Sequence, residues 1–214
     1  MTTNEKETFC TFAASLLAPP DQGLLADLEQ QGLRSFLTEG VSRWGEKPQL
    51  LTTLLGRKGM KRSLSALTKE YQRLFGSYRG KTVSLVESTY KPWAGDKKCG
   101  MVFAASKGLV MGDPAVHLLD VYREASLEVP EEFRSTPDHL ILELEFLALL
   151  YRDGTSEQIQ SFITDHLDWI PNLREELALA RPKPFYRVTV ELIDMFLENE
   201  QKDIKDTHGQ TTIH

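Results

Sequence analysis

Leu140-Ile141-Leu142-Glu143-Leu144-Glu145-Phe146-Leu147-Ala148-Leu149-Leu150-Tyr151 is the stretch whose reading decides the fold. It is apolar nearly all round, and a helix with that pattern belongs in the middle of a core rather than on its surface. Its flanks read as helix punctuation. Pro137 stands where a first-turn proline belongs, Gly154 supplies a C-terminal stop, and Thr155 with Gln158 makes a capping box that opens another helix. Asp138 and His139 lie at the entry. An aspartate in a first turn suits the helix dipole, and a histidine there reads as a hydrogen-bonded core residue. On the residues alone, capping outweighs function at this pair.

Helical periodicity continues in both directions from this segment. Towards the N-terminus, Phe9, Phe12, Ala13, Leu16 and Leu17 form one apolar stripe, with Asn4 and Glu7 as a capping start and Pro19-Pro20 as the stop. A second helix is expected to carry Leu24, Leu25, Leu28, Phe36 and Leu37, with Gly32 as a soft spot. A short third carries Leu50, Leu51, Leu54 and Leu55 up to Gly56, and a fourth carries Leu64, Leu67, Tyr71, Leu74 and Phe75 up to Gly76. Ala115, Leu118, Leu119 and Tyr122 mark a helix before the central one. After it come Ile159, Phe162, Ile163 and Leu167, then Leu173 and Leu177 between Pro171 and Pro182, then Val188, Leu192, Met195 and Phe196. The fold class expected is all-α: a single helical-bundle domain of about nine to eleven helices over residues 1–198, with a polar tail at 199–214 that frays.

Residues 76–112 break the pattern with six glycines and Pro92, and read as a long irregular connection in the middle of the bundle. Long connections in compact domains are functional or disordered, and Tyr78, Tyr90, Trp93 and Phe103 argue against disorder. Thr82-Val83-Ser84-Leu85-Val86 alternates like a strand without a strong partner strand following it. Glu87, Tyr90 and Trp93 read equally well as an acid beside a peptide-binding wall and as plugs that fix the connection on the core. Gly76 to Thr82 has the look of a phosphate-binding loop but is one residue short between its glycines and follows a helix, so a glycine turn is the stronger reading.

The bulk properties exclude several function classes. A net charge of -6 and a pI near 5.5 argue against nucleic acid, which requires a basic face; a cationic peptide is the more natural partner for such a surface. Cys10 and Cys99 form no CxxC, so neither a disulfide framework nor a cysteine zinc site is expected. Met1 to Glu7 lacks the basic and apolar regions of a signal peptide, no stretch has the apolar length of a membrane span, and the chain is expected in the cytoplasm. No serine or cysteine nucleophile with a base is recognisable, so no catalytic residue and no cofactor is assigned. His139 and Glu143 are four apart and can face one ligand, but no third ligand stands at a familiar spacing. Glu143 and Glu145, two apart, point away from each other.

Taken together, several short motifs resemble one family. Tyr71-Gln72-Arg73-Leu74-Phe75, Glu87-Ser88-Thr89-Tyr90, Met111-Gly112-Asp113, Pro137-Asp138-His139, His166-Leu167-x-Trp169 and Pro184-Phe185-Tyr186-Arg187 follow in the order seen in the redox-enzyme maturation chaperones, the relatives of TorD, DmsD and NarJ, with the likeness closest to the TorD/DmsD branch. The resemblance implies an all-α chaperone, a monomer or a domain-swapped homodimer, that binds the twin-arginine leader peptide and the apo form of a molybdoenzyme catalytic subunit until its cofactor is inserted. Some family members have been linked to guanine nucleotides, which leaves weak nucleotide binding or a plain helical scaffold as alternatives. The family's functional positions match here as Tyr90, Trp93, Gly112, Asp138 and His139. Glu87 and Asp113 join Asp138 as carboxylates suited to arginine recognition. The chain departs from the family where Ser135 and Thr136 replace the usual acid before Pro137. On this resemblance Asp138 and His139 become leader-binding residues, and His139 a group that tunes release with pH.

Overall fold

The computed structural model describes residues 1–45, 47–56, 62–76, 82–96 and 98–211. Within them lie ten α-helices: α1 Thr3–Leu17, α2 Gln22–Glu29, α3 Gln31–Trp44, α4 Pro48–Leu55, α5 Leu64–Phe75, α6 Asp113–Glu124, α7 Leu140–Asp153, α8 Ser156–His166, α9 Ile170–Leu179 and α10 Pro184–Thr211. The described residues hold no strand beyond one isolated antiparallel bridge between Val86 and His139. No helix among them is long and apolar enough to cross a membrane.

The centre of the bundle is α7. Leu140, Leu144 and Leu147 have no exposed surface, and each such leucine contributes on the order of 2 kcal/mol of apolar burial. Helix α1 lies along α7, and α10 packs against α1, α3, α4, α8 and α9. An aromatic cluster locks the joint between these layers: Phe9 meets Trp44 at 4.8 Å and Phe196 at 4.6 Å. Helix α10 carries on past residue 198, and Glu200 is buried there, accepting hydrogen bonds at 2.7 Å from both Lys6 and Tyr151.

Three boundaries differ from the sequence reading. The capping box of α1 is Thr2 with Glu5, two residues earlier than Asn4 with Glu7. The expected second helix is two, broken at Gln30, whose backbone is extended (φ -66°, ψ 129°). On a continuous helix of 3.6 residues per turn Leu37 would stand half a turn round from Leu28; the break brings both leucines onto the core. At the central helix, Pro137 and Asp138 lie outside, and His139 is the cap, its side chain accepting the N–H of Ile141. The box of Thr155 and Gln158 is present as expected.

The connection before α6 is ordered by its own backbone. Its strand-like part finds a partner in the residues that open α7: Glu87 N–H donates to Asp138 O at 2.9 Å and Leu140 N–H to Leu85 O at 2.8 Å. Further on, Trp93 and Ala94 donate to Ser106 and Ala104 at 3.0 and 2.9 Å, and Asp113 N–H to Trp93 O at 2.7 Å. Residues 77–81 of the glycine loop considered for phosphate lie outside the described residues.

Candidate functional site

The elements that meet at the start of α7 bury an unusual amount of charge. Glu87, in a short 3₁₀ turn at Glu87–Thr89, has no exposed surface. Its carboxylate accepts from Lys91 Nζ at 2.5 Å and from His166 Nδ1 at 2.9 Å. Lys91 sits one helical turn further on and also reaches Asp168 at 2.5 Å and the carbonyl of Asp165 at 2.6 Å. An isolated buried carboxylate is costly, and this one is offset by a cation and hydrogen bonds on both oxygens.

Glu143 approaches the same carboxylate from α7. Burial pushes its pKa well above the usual carboxylate range, and the neighbouring charges of Glu87 and Asp138 push the same way. Its Oε1 is buried with no hydrogen-bond partner among the described residues. The indole N–H of Trp169 donates to His166 O at 2.8 Å and reaches Glu143 at 3.2 Å. Tyr90 stacks on that indole with ring centroids 5.0 Å apart, and its hydroxyl lies 2.5 Å from a Glu176 oxygen.

Asp138 is also fully buried. One carboxylate oxygen accepts the Ser88 N–H at 2.7 Å and the Ser88 hydroxyl; the other has no partner, and burial raises its pKa. His139 packs on Phe133, and burial lowers its pKa to about 4. Because the unfolded imidazole titrates near 6.5, the unfolded chain binds the extra proton between these values. The stability His139 contributes is complete above about pH 6.5 and is lost as pH falls towards 4. Denaturant titrations at pH 7 and pH 4.5 should therefore show a drop of order 2 kcal/mol from this group. His139→Gln should remove that part, and an unchanged pH dependence in the variant would refute the assignment. A histidine held neutral in this way is poorly suited to tune release near pH 7, the role first considered for it.

The seven residues singled out from sequence thus fall into two groups. Glu87, Asp138, His139 and Tyr90 converge on the buried network. Trp93, Gly112 and Asp113 form a clasp at the start of α6, where Asp113 accepts the Gly95 N–H at 2.7 Å. A Cβ at Gly112 would meet Trp93 O at 2.7 Å, so glycine is required by close backbone approach. Glu87 and Asp138 are spent inside the protein rather than presented to solvent. The described residues contain no cluster of metal-ligating groups.

Sequence reasoning gave no role to His117 or Lys91, and weighed Glu143 only as a candidate ligand beside His139 and as a poor carboxylate pair with Glu145. Only the spacing of Glu87 and Lys91, four apart, was a readable signal. His117 Nδ1 lies 2.8 Å from His166 Nε2, with the rings stacked at 4.9 Å. Both histidines line a cavity of about 630 Å³ between α6, α7 and α8. Its floor is apolar, with Val121, Phe146, Leu149 and Phe162, and its rim carries Glu124, Asp153 and Asp165 against a single cation, Arg152. A smaller hollow of about 160 Å³ shares Phe146 and Leu149 and adds Glu128 and Glu145. The two make one groove, greasy below and acidic at the edge.

The sequence model of the family described as nitrate reductase delta subunit matches residues 41–175, more than half of the chain. The match takes in the groove and the buried network. No curated protein matches the chain.

Proposed function

The chain belongs to the nitrate reductase delta subunit family, a family of molybdoenzyme maturation chaperones and not of enzymes, and from that premise we propose how it holds its client. The groove between α6, α7 and α8 binds the twin-arginine leader of an apo-molybdoenzyme catalytic subunit in the cytoplasm, and the complex persists until the client's cofactor is inserted before export. The observation that carries this reading is the groove's composition: an apolar floor that includes Val121, Phe146, Leu149 and Phe162, bordered by five carboxylates and one arginine. A leader combines an apolar helical stretch with paired cations, which is what such a groove accepts. Glu87, Asp138 and His139 act from beneath by fixing α7 and α8, while Tyr90, Trp93, Gly112 and Asp113 hold the preceding connection in place. The motif likeness to the TorD/DmsD branch supports the leader as ligand, and the family match supports a nitrate-reductase-type client.

Calorimetric titration with leader peptides of oxidoreductases encoded beside the gene tests the reading. Micromolar or tighter binding is expected, weakening as salt rises. Glu124→Lys with Asp165→Lys should reduce affinity at least tenfold and flatten the salt dependence. Unchanged affinity in that double variant would move the site elsewhere, and equal binding of a double-lysine leader would mark a scaffold without leader specificity.

A further inference from the structure

At the groove wall, a chain of three side chains runs from the protein interior to solvent. Glu87 holds His166 at 2.9 Å, His166 holds His117 at 2.8 Å, and His117, on α6, is exposed on the groove. The hydrogen-bond directions along it follow from its buried end. Glu87 accepts from Lys91 Nζ at 2.5 Å through one carboxylate oxygen and turns the other to His166. In the neutral imidazole, a hydrogen on His166 Nδ1 donated to that carboxylate leaves His166 Nε2 as an acceptor. His117 Nδ1 supplies the hydrogen to that acceptor. That leaves Nε2 of His117 as an acceptor, on a side chain that is exposed and lines the groove.

We propose that His117 is a specificity-determining residue of the groove: its Nε2 is a preset hydrogen-bond acceptor for a cationic donor on the bound peptide, a guanidinium or ammonium group, and uptake of a proton there expels that donor. The inference rests on the groove being the peptide site. The carboxylate at the far end strengthens the acceptor, because each bond in the chain polarises the next. Protonation turns the acceptor into a second cation beside the ligand's own.

The charged groups around His117 allow the effect to be isolated. Asp120 and Glu124 stand on its own helix, and α8 presents His166 and Asp165. The 3₁₀ turn presents Glu87, and Lys91 follows just after it, with Asp168 behind Lys91. Helix α7 presents Glu143 beneath and Glu145, Arg152 and Asp153 along the groove. Burial raises the pKa of Glu145, so Glu145→Gln serves as the control that removes its contribution.

The probe is a synthetic peptide with paired arginines followed by an apolar helical stretch, capped at both ends and free of other titratable groups. Its affinity for the full chain is measured at pH 8 and pH 5.5, across the range in which imidazoles take up a proton. A roughly tenfold loss at pH 5.5 is expected, the size of a lost hydrogen bond to a charged group, and it should persist in Glu145→Gln. His117→Gln, an acceptor that does not titrate, should bind several-fold more weakly than wild type at pH 8 and equally at the two pH values. Long-range ¹H–¹⁵N spectra of the free protein at pH 8 should show His117 with its hydrogen on Nδ1. A wild-type pH slope in His117→Gln, or a hydrogen on Nε2, overturns the inference while leaving the groove as the peptide site. No binding at either pH removes the groove reading and the inference with it.

Discussion

Trp169→Ala is expected to lower the unfolding free energy by about 4 kcal/mol. Trp169 is 1% exposed, and large-to-alanine changes at such aromatic sites cost about 3–5 kcal/mol because the surroundings close only part of the cavity. Two further losses accompany the volume. The Tyr90 ring loses the face it stacks on at 5.0 Å, and the carbonyl of His166, at the end of α8, loses the indole N–H at 2.8 Å. For a domain of this size the melting temperature should fall by roughly 10–15 °C. Trp169→Phe restores most of the volume but not the donor, and should cost about half as much. Chemical denaturation of both variants checks this; a loss under about 1 kcal/mol for the alanine variant would mean that the indole is not the keystone between the connection and α8.

Asp138→Ala should cost about 2–3 kcal/mol of stability. Among the described residues the carboxylate is the only partner of the Ser88 N–H, and Ser88 has no exposed surface; leaving such a donor unpaired costs about 1–3 kcal/mol. The same side chain ties the connection to the residues that start α7, so its removal loosens Leu85 and Val86, both buried. Asp138→Asn keeps an oxygen for Ser88 and should cost about 1 kcal/mol. Peptide binding by the folded fraction separates the two roles considered for this residue. Near-wild-type affinity in Asp138→Ala, once the unfolded fraction is subtracted, identifies a positioning residue; a loss of affinity in Asp138→Asn without loss of stability identifies a direct contact with the leader.

The contrast between these residues shows what each level of description carries. The helical segments were legible because helix formation depends on spacing within a turn or two. The stripe of Phe9, Ala13, Leu16 and Leu17 is buried as a unit, Gly56 ends α4 and Thr155 opens α8 with Gln158. The break at Gln30 was not legible, because the pattern 24, 28, 36, 37 looks helical until the direction of the core is known. Of the seven candidate residues, four turned inward into the network or its flank. Asp138 and Ser88 are 50 positions apart, and Glu87 and His166 are 79; no local rule pairs them.

By itself, then, the sequence determined the all-helical class, the central place of Leu140–Tyr151 and most helix ends, since apolar spacing, proline and glycine act over a few residues and need no partner from elsewhere in the chain. Only the tertiary structure decided which carboxylates are buried, which cations and donors meet them, and which histidines line the groove. Those outcomes depend on desolvation and on the groups that share the buried space, and both come into being when α6, α7, α8 and the connection close on one another.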